Sequence, residues 1–175
     1  MPAPASQLNP YAPFLGDARP HDVLEMKQGR PSINGWAVPS CPLGRVTLDD
    51  ANGDLEVEFL GDASYLVFYD ASAPVGHAGP LYAADDGVLV LGDDRNDSAD
   101  SRAWHGGRDG NVHPSAVRGR ALFVWLRHNP SDAAHFGVDL GRIALPSTLD
   151  RLAPDVAKCL AVRPNATPPA PLTQR

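Results

Sequence analysis

The chain has 175 residues, of which 43% are hydrophobic, and carries a net charge of −6. This length and composition suit one domain with a hydrophobic core. The acidic balance, with no cluster of Lys and Arg, argues against a nucleic acid or an anionic membrane surface as partner. The 18 prolines and 16 glycines argue against long helices and for many turns.

The sequence gives few signals for targeting. No run approaches the roughly 18 consecutive apolar residues that a membrane-spanning helix needs. The N-terminus, MPAPASQLNPYAPF, has neither the basic nor the apolar region of a signal peptide. The two cysteines, Cys41 and Cys159, allow one disulfide if the chain is exported, or two buried thiols if it is not. Localisation is therefore left undecided.

The first part of the chain predicts a lead-in followed by a small strand meander. Residues 1–19 are rich in proline and predict an extended lead-in. The meander consists of three short apolar runs separated by Gln28-Gly29 and Asn34-Gly35, both of which are turn signals. The runs are VLEMK from Val23, a run ending at Ile33, and Trp36–Val38. Pro31 predicts that the middle run is an edge strand, because proline donates no hydrogen bond to a sheet.

The middle of the chain predicts a second group of strands. Cys41–Gly44 is interpreted as a connector, and Arg45–Leu48 and Leu55–Leu60 as strands on either side of the turn DDANGD. In LEVEFL, apolar and acidic residues alternate, which predicts one buried and one solvent-facing side. The more uniformly apolar run Tyr65–Tyr69 predicts a central strand.

The polar loop Gly92–Arg102 carries the strongest pattern in the chain. Two short apolar runs, Val88–Leu91 and Ala121–Leu126, predict buried strands before and after it. The loop alternates four aspartates with two arginines, and so many charges in an ordered loop must pair. We therefore expect an ion pair between Asp100 and Arg102. The composition of the loop is also typical of a solvated surface turn.

The C-terminal part predicts short helices and a tail. Ser147 is a candidate N-cap for the run TLDRL, and Asp155–Ala161 predicts a short helix after Pro154. The segment 163–175, RPNATPPAPLTQR, has too few apolar residues to pack and predicts a disordered tail.

The loop resembles the last conserved box of bacterial type I signal peptidases. That box reads G-D-N-R-D-N-S-x-D-S-R, and GDDRNDSADSR matches it in register at seven positions. The run Gly119–Leu126 is similar to the V-G-R-A-x-x-x-W-L strand that follows the box in the family. Upstream, Pro20–Met26 resembles the P-G-D-x-V-E segment with His21 in place of Gly, and Gly29–Gly35 resembles the G-x-x-x-x-N-G hairpin.

The resemblance implies a mainly β, signal-peptidase-like domain at residues 20–127. A C-terminal addition with short helices at 128–162 and the tail at 163–175 would lie outside it. The family consists of membrane-anchored serine endopeptidases that act outside the cytoplasm with a Ser nucleophile and a Lys general base. Such a Lys serves as base only when burial lowers its pKa. No cofactor and no metal is predicted.

The residues that carry over from the family are supporting residues. Ser98 matches the hydroxyl that orients the family's lysine, and Asp100 and Arg102 match the acid–base pair that holds the loop. Asp93 and Arg95 also match the box in register.

The catalytic residues do not carry over. Phe14 stands at the position of the family's lysine, and the S-M-x-P-T box of the nucleophile has no counterpart in the sequence. Residues that position a catalytic group cannot catalyse without it. No residue of this chain is therefore assigned a catalytic role.

A calcium loop is a weaker interpretation of the same residues. The D-x-N-x-S-x-D pattern from Asp94 has the alternating oxygens of such a loop. Ala99 and His105 stand where a calcium loop needs glycine and glutamate, which argues against it.

The histidines offer two further interpretations. A Ser–His–Asp triad that joins Ser98 or Ser101 to His105 or His113 would lack the usual nucleophile-elbow sequence. A zinc site is disfavoured because the histidine spacings fit no standard pattern. The six histidines are His21, His77, His105, His113, His128 and His135.

The leading functional hypothesis is a catalytically inactive relative that acts as a binding or assembly module. One alternative is the C-terminal part of an active Ser/Lys signal peptidase whose catalytic residues lie upstream or on a partner chain. A second alternative is a structural subunit that binds a protein partner, or a second copy of itself, through an exposed sheet edge.

Overall fold

The computed structural model describes residues 21–48, 50–72, 79–106, 110–118 and 151–171. These ranges are dominated by strands, and the predicted mainly β class is confirmed. The strands are β1 Val23–Lys27, β2 Arg30–Ile33, β3 Trp36–Ala37, β4 Ser40–Leu48, β5 Ala51–Leu60, β6 Ala63–Asp70 and β7 Leu81–Tyr82, and helix α1 spans Ala153–Ala161. The predicted lead-in at 1–19, the predicted strand Ala121–Leu126 and the predicted cap at Ser147 lie outside the described residues.

The first sheet contains the predicted meander. Its strand order is β3-β2-β1-β7, and neighbouring strands are antiparallel. The turns fall at the predicted dipeptides. Gln28-Gly29 has φ values of 53° and 78°, and Asn34-Gly35 has φ values of 53° and 79°. Two consecutive residues at positive φ are typical of the tight turns that suit a twisted hairpin, and Gly and Asn adopt this conformation most readily.

Pro31 does not place β2 at an edge, contrary to the sequence-based prediction. Strand β2 pairs with β1 on one side and β3 on the other. The short β3 pairs only with Ser32 and Ile33, and at Pro31 the hydrogen bond runs the other way, from the Val38 amide to the proline carbonyl. The sheet therefore accommodates the proline without needing its missing donor.

The second sheet is the antiparallel group β4-β5-β6. Cys41–Gly44 belongs to strand β4 and is not a connector, because a bulge between Pro42 and Gly44 lets the strand continue. The turn of the hairpin is also shorter than predicted, since Leu48 and Ala51 are register partners. Gly53 lies within β5, where a Cβ atom would approach the Tyr69 carbonyl oxygen to 2.3 Å. Close packing, and not a turn, requires this glycine.

Strand β5 separates two apolar clusters. Leu55, Val57 and Phe59 pack in one cluster with Val156 and Leu160 of α1. The opposite side of the second sheet faces the first sheet. That second cluster joins Leu24, Met26 and Ile33 to Tyr65, Val67 and Tyr69. The second sheet is therefore the middle layer between α1 and the first sheet.

The acidic side of LEVEFL is buried, which corrects the prediction that it faces solvent. Glu56 is 4% exposed and Glu58 is 1% exposed. From Leu55 to Leu60 the strand has a sheet neighbour at each edge and a packed layer on each face, so neither side of this part meets water. The alternation in the sequence thus separates an apolar side from an ionic side.

Strand β6 is the outer strand of the three-stranded group and not its centre. Its residues from Ser64 to Tyr69 are nevertheless all buried. The amide of Phe68 donates to the Asp93 carbonyl at 2.8 Å, and the Arg95 amide donates to the Phe68 carbonyl at 2.9 Å. A loop thus covers this edge, and the side chains of β6 pack alternately in the inter-sheet cluster and in the cluster with α1, which explains why the strand is so apolar.

The run Val88–Leu91 forms one isolated bridge, between Val88 and Val112, and not the predicted strand. Leu89 and Leu91 are buried in the inter-sheet cluster, so the predicted burial is observed without the predicted ladder. Within the described ranges, no helix has the length and apolar character needed to cross a membrane.

The predicted helix at Asp155–Ala161 is present as α1, which begins at Ala153. A disulfide joins Cys159 of α1 to Cys41 of β4, with the two Cα atoms 5.8 Å apart. Of the two interpretations that the sequence left open, the structure contains the disulfide.

Residues 163–171 lack regular secondary structure, but they are held against the sheets, which corrects the predicted disorder for this part of the tail. Arg163 donates to the Ser64 hydroxyl and to the Gly61 and Ala63 carbonyls, at 2.8, 2.5 and 2.8 Å. Ala166 and Pro168 are buried. We refer to residues 151–171 as the C-terminal strap.

Candidate functional site

A layer of ion pairs lies between the two sheets. Arg30 of β2 faces Glu56 of β5 through two parallel contacts, with Nη1 and Oε2 2.5 Å apart. The guanidinium also lies 4.7 Å from the centre of the Tyr69 ring. Its hydrogen bond to Glu56 raises the pKa of Arg30. Burial works against the charged form of Glu56, but Arg30 and a hydrogen bond from Ser40 together outweigh it, and the pKa of this carboxyl is lowered.

Glu58 is the most deeply buried charge of this layer. Its Oε1 accepts a hydrogen bond from the Tyr69 hydroxyl at 2.7 Å, and its Oε2 contacts Nη2 of Arg95. Burial and the adjacent Glu58 carboxylate both raise the pKa of Tyr69, so the phenol remains a hydrogen-bond donor. Burial opposes the charge on Arg95, yet the carboxylate more than compensates and the pKa of Arg95 is raised.

The box loop, Gly92–Arg102, is the segment that resembles the signal peptidase box. It is joined to the ionic layer through Arg95, whose Nη1 also donates to the Gly92 carbonyl at 2.6 Å. The Asn96 side chain donates to the Asp70 carbonyl at 2.8 Å. These bonds fix the first half of the loop along the edge of β6.

Asp100 and Arg102 form the predicted ion pair. Arg102 Nε and Nη2 lie 2.8 and 2.6 Å from the two carboxylate oxygens, and Nη1 of the same guanidinium contacts the Arg95 carbonyl. The Asp100 carboxylate also accepts a hydrogen bond from the Gly92 amide at 2.8 Å. Burial opposes the charge on Asp100, but these donors outweigh it and lower its pKa. The pair therefore closes the loop by joining its two ends.

Ser98 lies at the centre of the loop, directly against Gly92. Its hydroxyl donates to the Asp94 carbonyl at 2.5 Å. A Cβ atom on Gly92 would lie 1.9 Å from the Ser98 Oγ, so only glycine fits beneath this serine. The hydroxyl is consequently held by the loop's own backbone.

The carboxylates of Asp93 and Asp94 bind backbone amides and not a common centre. Asp94 Oδ1 accepts the Asn96 and Asp97 amides, and Asp93 Oδ1 accepts the Asp94 amide at 3.1 Å. Partial burial raises the pKa of Asp94. Among the described residues, no three His, Cys, Asp or Glu side chains are grouped so that they could hold a metal ion.

Among the described residues, no hydrogen bond joins Ser98 or Ser101 to His105 or His113. The Ser101 hydroxyl accepts the Val90 amide at 2.8 Å, and Ser98 is used as described above. His113 instead contacts Ser115, with Nδ1 2.6 Å from Oγ and 3.2 Å from the Ser115 amide. This contact caps the short 3-10 helix Pro114–Ala116, and the side chains of His113 and Ser115 are exposed. His77, His128 and His135 lie outside the described residues.

Neither of the chain's two lysines is in a position to act as a buried base. Lys27 and Lys158 are largely exposed, and each lies beside a carboxylate. The Lys27 ammonium is 3.3 Å from Glu25, and the Lys158 ammonium is 2.8 Å from Asp155. Phe14, which the sequence motif predicts to stand at the position of the family's lysine, lies outside the described residues.

Sequence reasoning missed the ionic layer: Glu58 as the partner of Arg95 in the box loop, Tyr69 as a donor to Glu58, and the neighbouring pair of Arg30 and Glu56. The alternation of acids in β5 was visible, but the residues that cover them come from distant parts of the sequence. The sequence does contain a signal for this layer. If the acids of β5 are buried, they require cationic partners, and the box contains one such residue in Arg95.

The comparisons with known proteins gave one match. A family model described as signal peptidase, peptidase S26, matches residues 18–126, which is more than half of the chain. No curated protein matches, and no solved structure matches. The matched range contains both sheets and the complete box loop.

Proposed function

The chain belongs to the signal peptidase S26 family, and from this premise we propose that it acts as a non-catalytic binding or assembly module. The single observation that supports this proposal most directly is the environment of Ser98. In the family, the matching hydroxyl orients a lysine. Here the hydroxyl donates to the Asp94 carbonyl, and both lysines of the chain are exposed and paired with acids.

The substitution at the lysine position supports the same proposal. Phe14 occupies the place that the family motif gives to lysine, and phenylalanine can neither accept nor release a proton. A serine nucleophile needs a base within hydrogen-bond reach. The supporting residues would then serve to keep the shape of the domain.

The test is a cleavage assay with the purified chain and a model preprotein carrying a signal peptide. We expect no cleavage by the wild type, and the same result for Ser98→Ala. As a matched control, Ser72→Ala removes an exposed hydroxyl that donates to Asp70 just after β6. Cleavage that is lost in Ser98→Ala and kept in Ser72→Ala would overturn the proposal.

A second candidate function is an active Ser/Lys signal peptidase whose catalytic residues are supplied by an upstream segment or by a partner chain. The box loop favours it, because the Asp100–Arg102 ion pair is formed and Ser98 packs closely against Gly92. Determining the N-terminus of the protein in its native cell, together with the DNA preceding Met1, separates the two. An in-frame S-M-x-P-T box there would favour the peptidase.

The third candidate, a structural subunit that pairs through a sheet edge, has less support in the two edges of the second sheet. The outer edge of β4 carries Pro42 and a bulge, which are features that protect an edge from pairing. The outer edge of β6 is bonded to the box loop. Self-association stays a prediction, and light scattering at high protein concentration tests it: a strictly monomeric chain would contradict it.

A further inference from the structure

We propose that the Cys41–Cys159 disulfide is a thiol–disulfide exchange site, at which a dithiol reductant releases the C-terminal strap from the second sheet. The site lies on the face of that sheet opposite the ionic layer, so the inference does not depend on the proposed function. It rests on three properties of the strap: its covalent anchor, its weak intrinsic order and the unequal exposure of the two cysteines.

The disulfide is the covalent anchor of the strap. It joins residues that are 118 positions apart in the chain. Closing a loop of this length restricts the unfolded chain and raises the effective concentration of α1 at its docking face. Reduction removes this restriction at once.

Helix α1 is not expected to be stable without docking. It has nine residues, and its N-cap, Leu152, provides no side-chain hydrogen bond. Isolated helices of this length are marginal in water, because nucleation is unfavourable and few hydrogen bonds repay it. The order of α1 therefore depends on Val156 and Leu160 in the apolar cluster and on the disulfide.

The two cysteines differ in exposure, which sets the direction of exchange. Cys159 is 3% exposed, whereas Cys41 is only partly buried at the border of the same cluster. A thiolate of the reductant would attack the Cys41 sulfur, and Cys159 would leave as the thiolate. The second thiol of the reductant then attacks the reductant's own sulfur in the mixed disulfide, and Cys41 leaves as a thiolate. The chain thereby gains two electrons and two protons, and the reductant becomes a disulfide.

Release of the strap would uncover the apolar side of the second sheet without disturbing the ionic layer. Val57, Phe59 and Leu66 would lose their covering residues, whereas Glu58 and Arg95 face the other sheet. The strap also carries the Arg163 contacts to the β5–β6 turn, which would open with it. Reduction should therefore change one face of the domain selectively.

The test is native-state hydrogen exchange with mass spectrometry on the full chain, with and without dithiothreitol and without denaturant. On reduction we expect exchange in 153–163 to become faster by at least about tenfold, while β5 and β6 keep their protection. Alkylation should then label both cysteines. Unchanged protection, thiols that react only in denaturant, or loss of protection across β4 to β6 would each overturn the proposal.

Two variants sharpen the test. The double variant Cys41→Ser/Cys159→Ser should show the exchange pattern of the reduced wild type and no response to dithiothreitol; a response would contradict the assignment. A dithiol oxidoreductase whose resolving cysteine is replaced by serine should form a mixed disulfide with the wild type. Peptide mapping should find this bond at Cys41, and a bond at Cys159 would contradict the proposed direction of attack.

Discussion

Arg95 and Glu58 form an ion pair whose side chains are 2% and 1% exposed, and this pair joins the box loop to the centre of the middle sheet layer. The loop's other hydrogen bonds to the sheet run to the edge of β6, from its backbone and from the Asn96 side chain. Burying two charges gains little net stability even when they are paired, whereas removing one partner leaves an isolated charge in the core. The pair therefore serves mainly to fix position.

Replacing one member of this pair should be far more harmful than replacing both. We expect Glu58→Leu and Arg95→Met each to lower the free energy of unfolding by about 3–5 kcal/mol, because each leaves an uncompensated buried charge. The double variant should lose clearly less than the sum of the two. Urea denaturation of all four proteins measures the cycle, and additive losses would show that the two side chains act independently.

Acid should weaken the box loop through Asp100. Its pKa is lowered in the folded protein, so the folded state holds this proton less tightly than the unfolded chain does. The resulting stability is complete above the ordinary Asp pKa of about 3.9 and is lost as the pH falls through the lower folded value.

We therefore expect Asp100→Asn to be less stable than the wild type at pH 7, with a gap that narrows as the pH falls below about 4. Urea midpoints measured across this range provide the test. Asp54→Asn, which removes an exposed carboxylate 3.5 Å from Arg45, is the control and should show a small gap at every pH. A gap for Asp100→Asn that does not vary with pH would contradict the role of its ionised form.

Gly92→Ala should destabilise the loop by about 1–3 kcal/mol, since the new methyl group would overlap Ser98. The matched control is Gly79→Ala, where the added Cβ meets only ordinary contacts, at 3.6 Å or more. Adding Ser98→Gly to Gly92→Ala should recover part of the loss. Thermal denaturation compares the variants, and equal effects of the two glycine substitutions would count against the close fit.

Arg163→Met should loosen the C-terminal strap even when the disulfide is intact. Two backbone carbonyls and one hydroxyl would lose a charged donor, which costs about 1–3 kcal/mol when such groups stay buried. The exposed Arg45→Met is the control. Hydrogen exchange at Gly61, whose amide donates to the Ala166 carbonyl at 2.8 Å, reports directly on the strap. No change at this amide would contradict the prediction.

Local sequence signals predicted the parts of the fold that neighbouring residues determine. The turns at Gln28-Gly29 and Asn34-Gly35 follow from the conformations that these residues tolerate, and α1 follows from its proline and apolar spacing. The position of the Asp100–Arg102 pair was also predictable, because the partners are two residues apart and their charges must be compensated.

Contacts between distant segments could not be predicted in this way. The alternation in β5 predicts one buried and one solvent-facing side, because the sequence does not indicate that the first sheet covers Glu56 and Glu58. The disulfide joins residues too far apart for spacing to indicate a pairing. The tail was predicted to be disordered from its own composition, but Arg163 finds its partners in the turn after β5.

The two-sided pattern of β5 also specifies how the hairpins align during folding. Side chains alternate strictly along a strand, so a slip of one residue would turn Glu56 and Glu58 toward the apolar residues of α1 and would place Val57 and Phe59 against Arg30 and Arg95. Both consequences are unfavourable, because the carboxylates would enter the apolar cluster and the arginines would lose their counter-ions. The buried acids thus specify one strand register and disfavour the registers that differ from it by one residue.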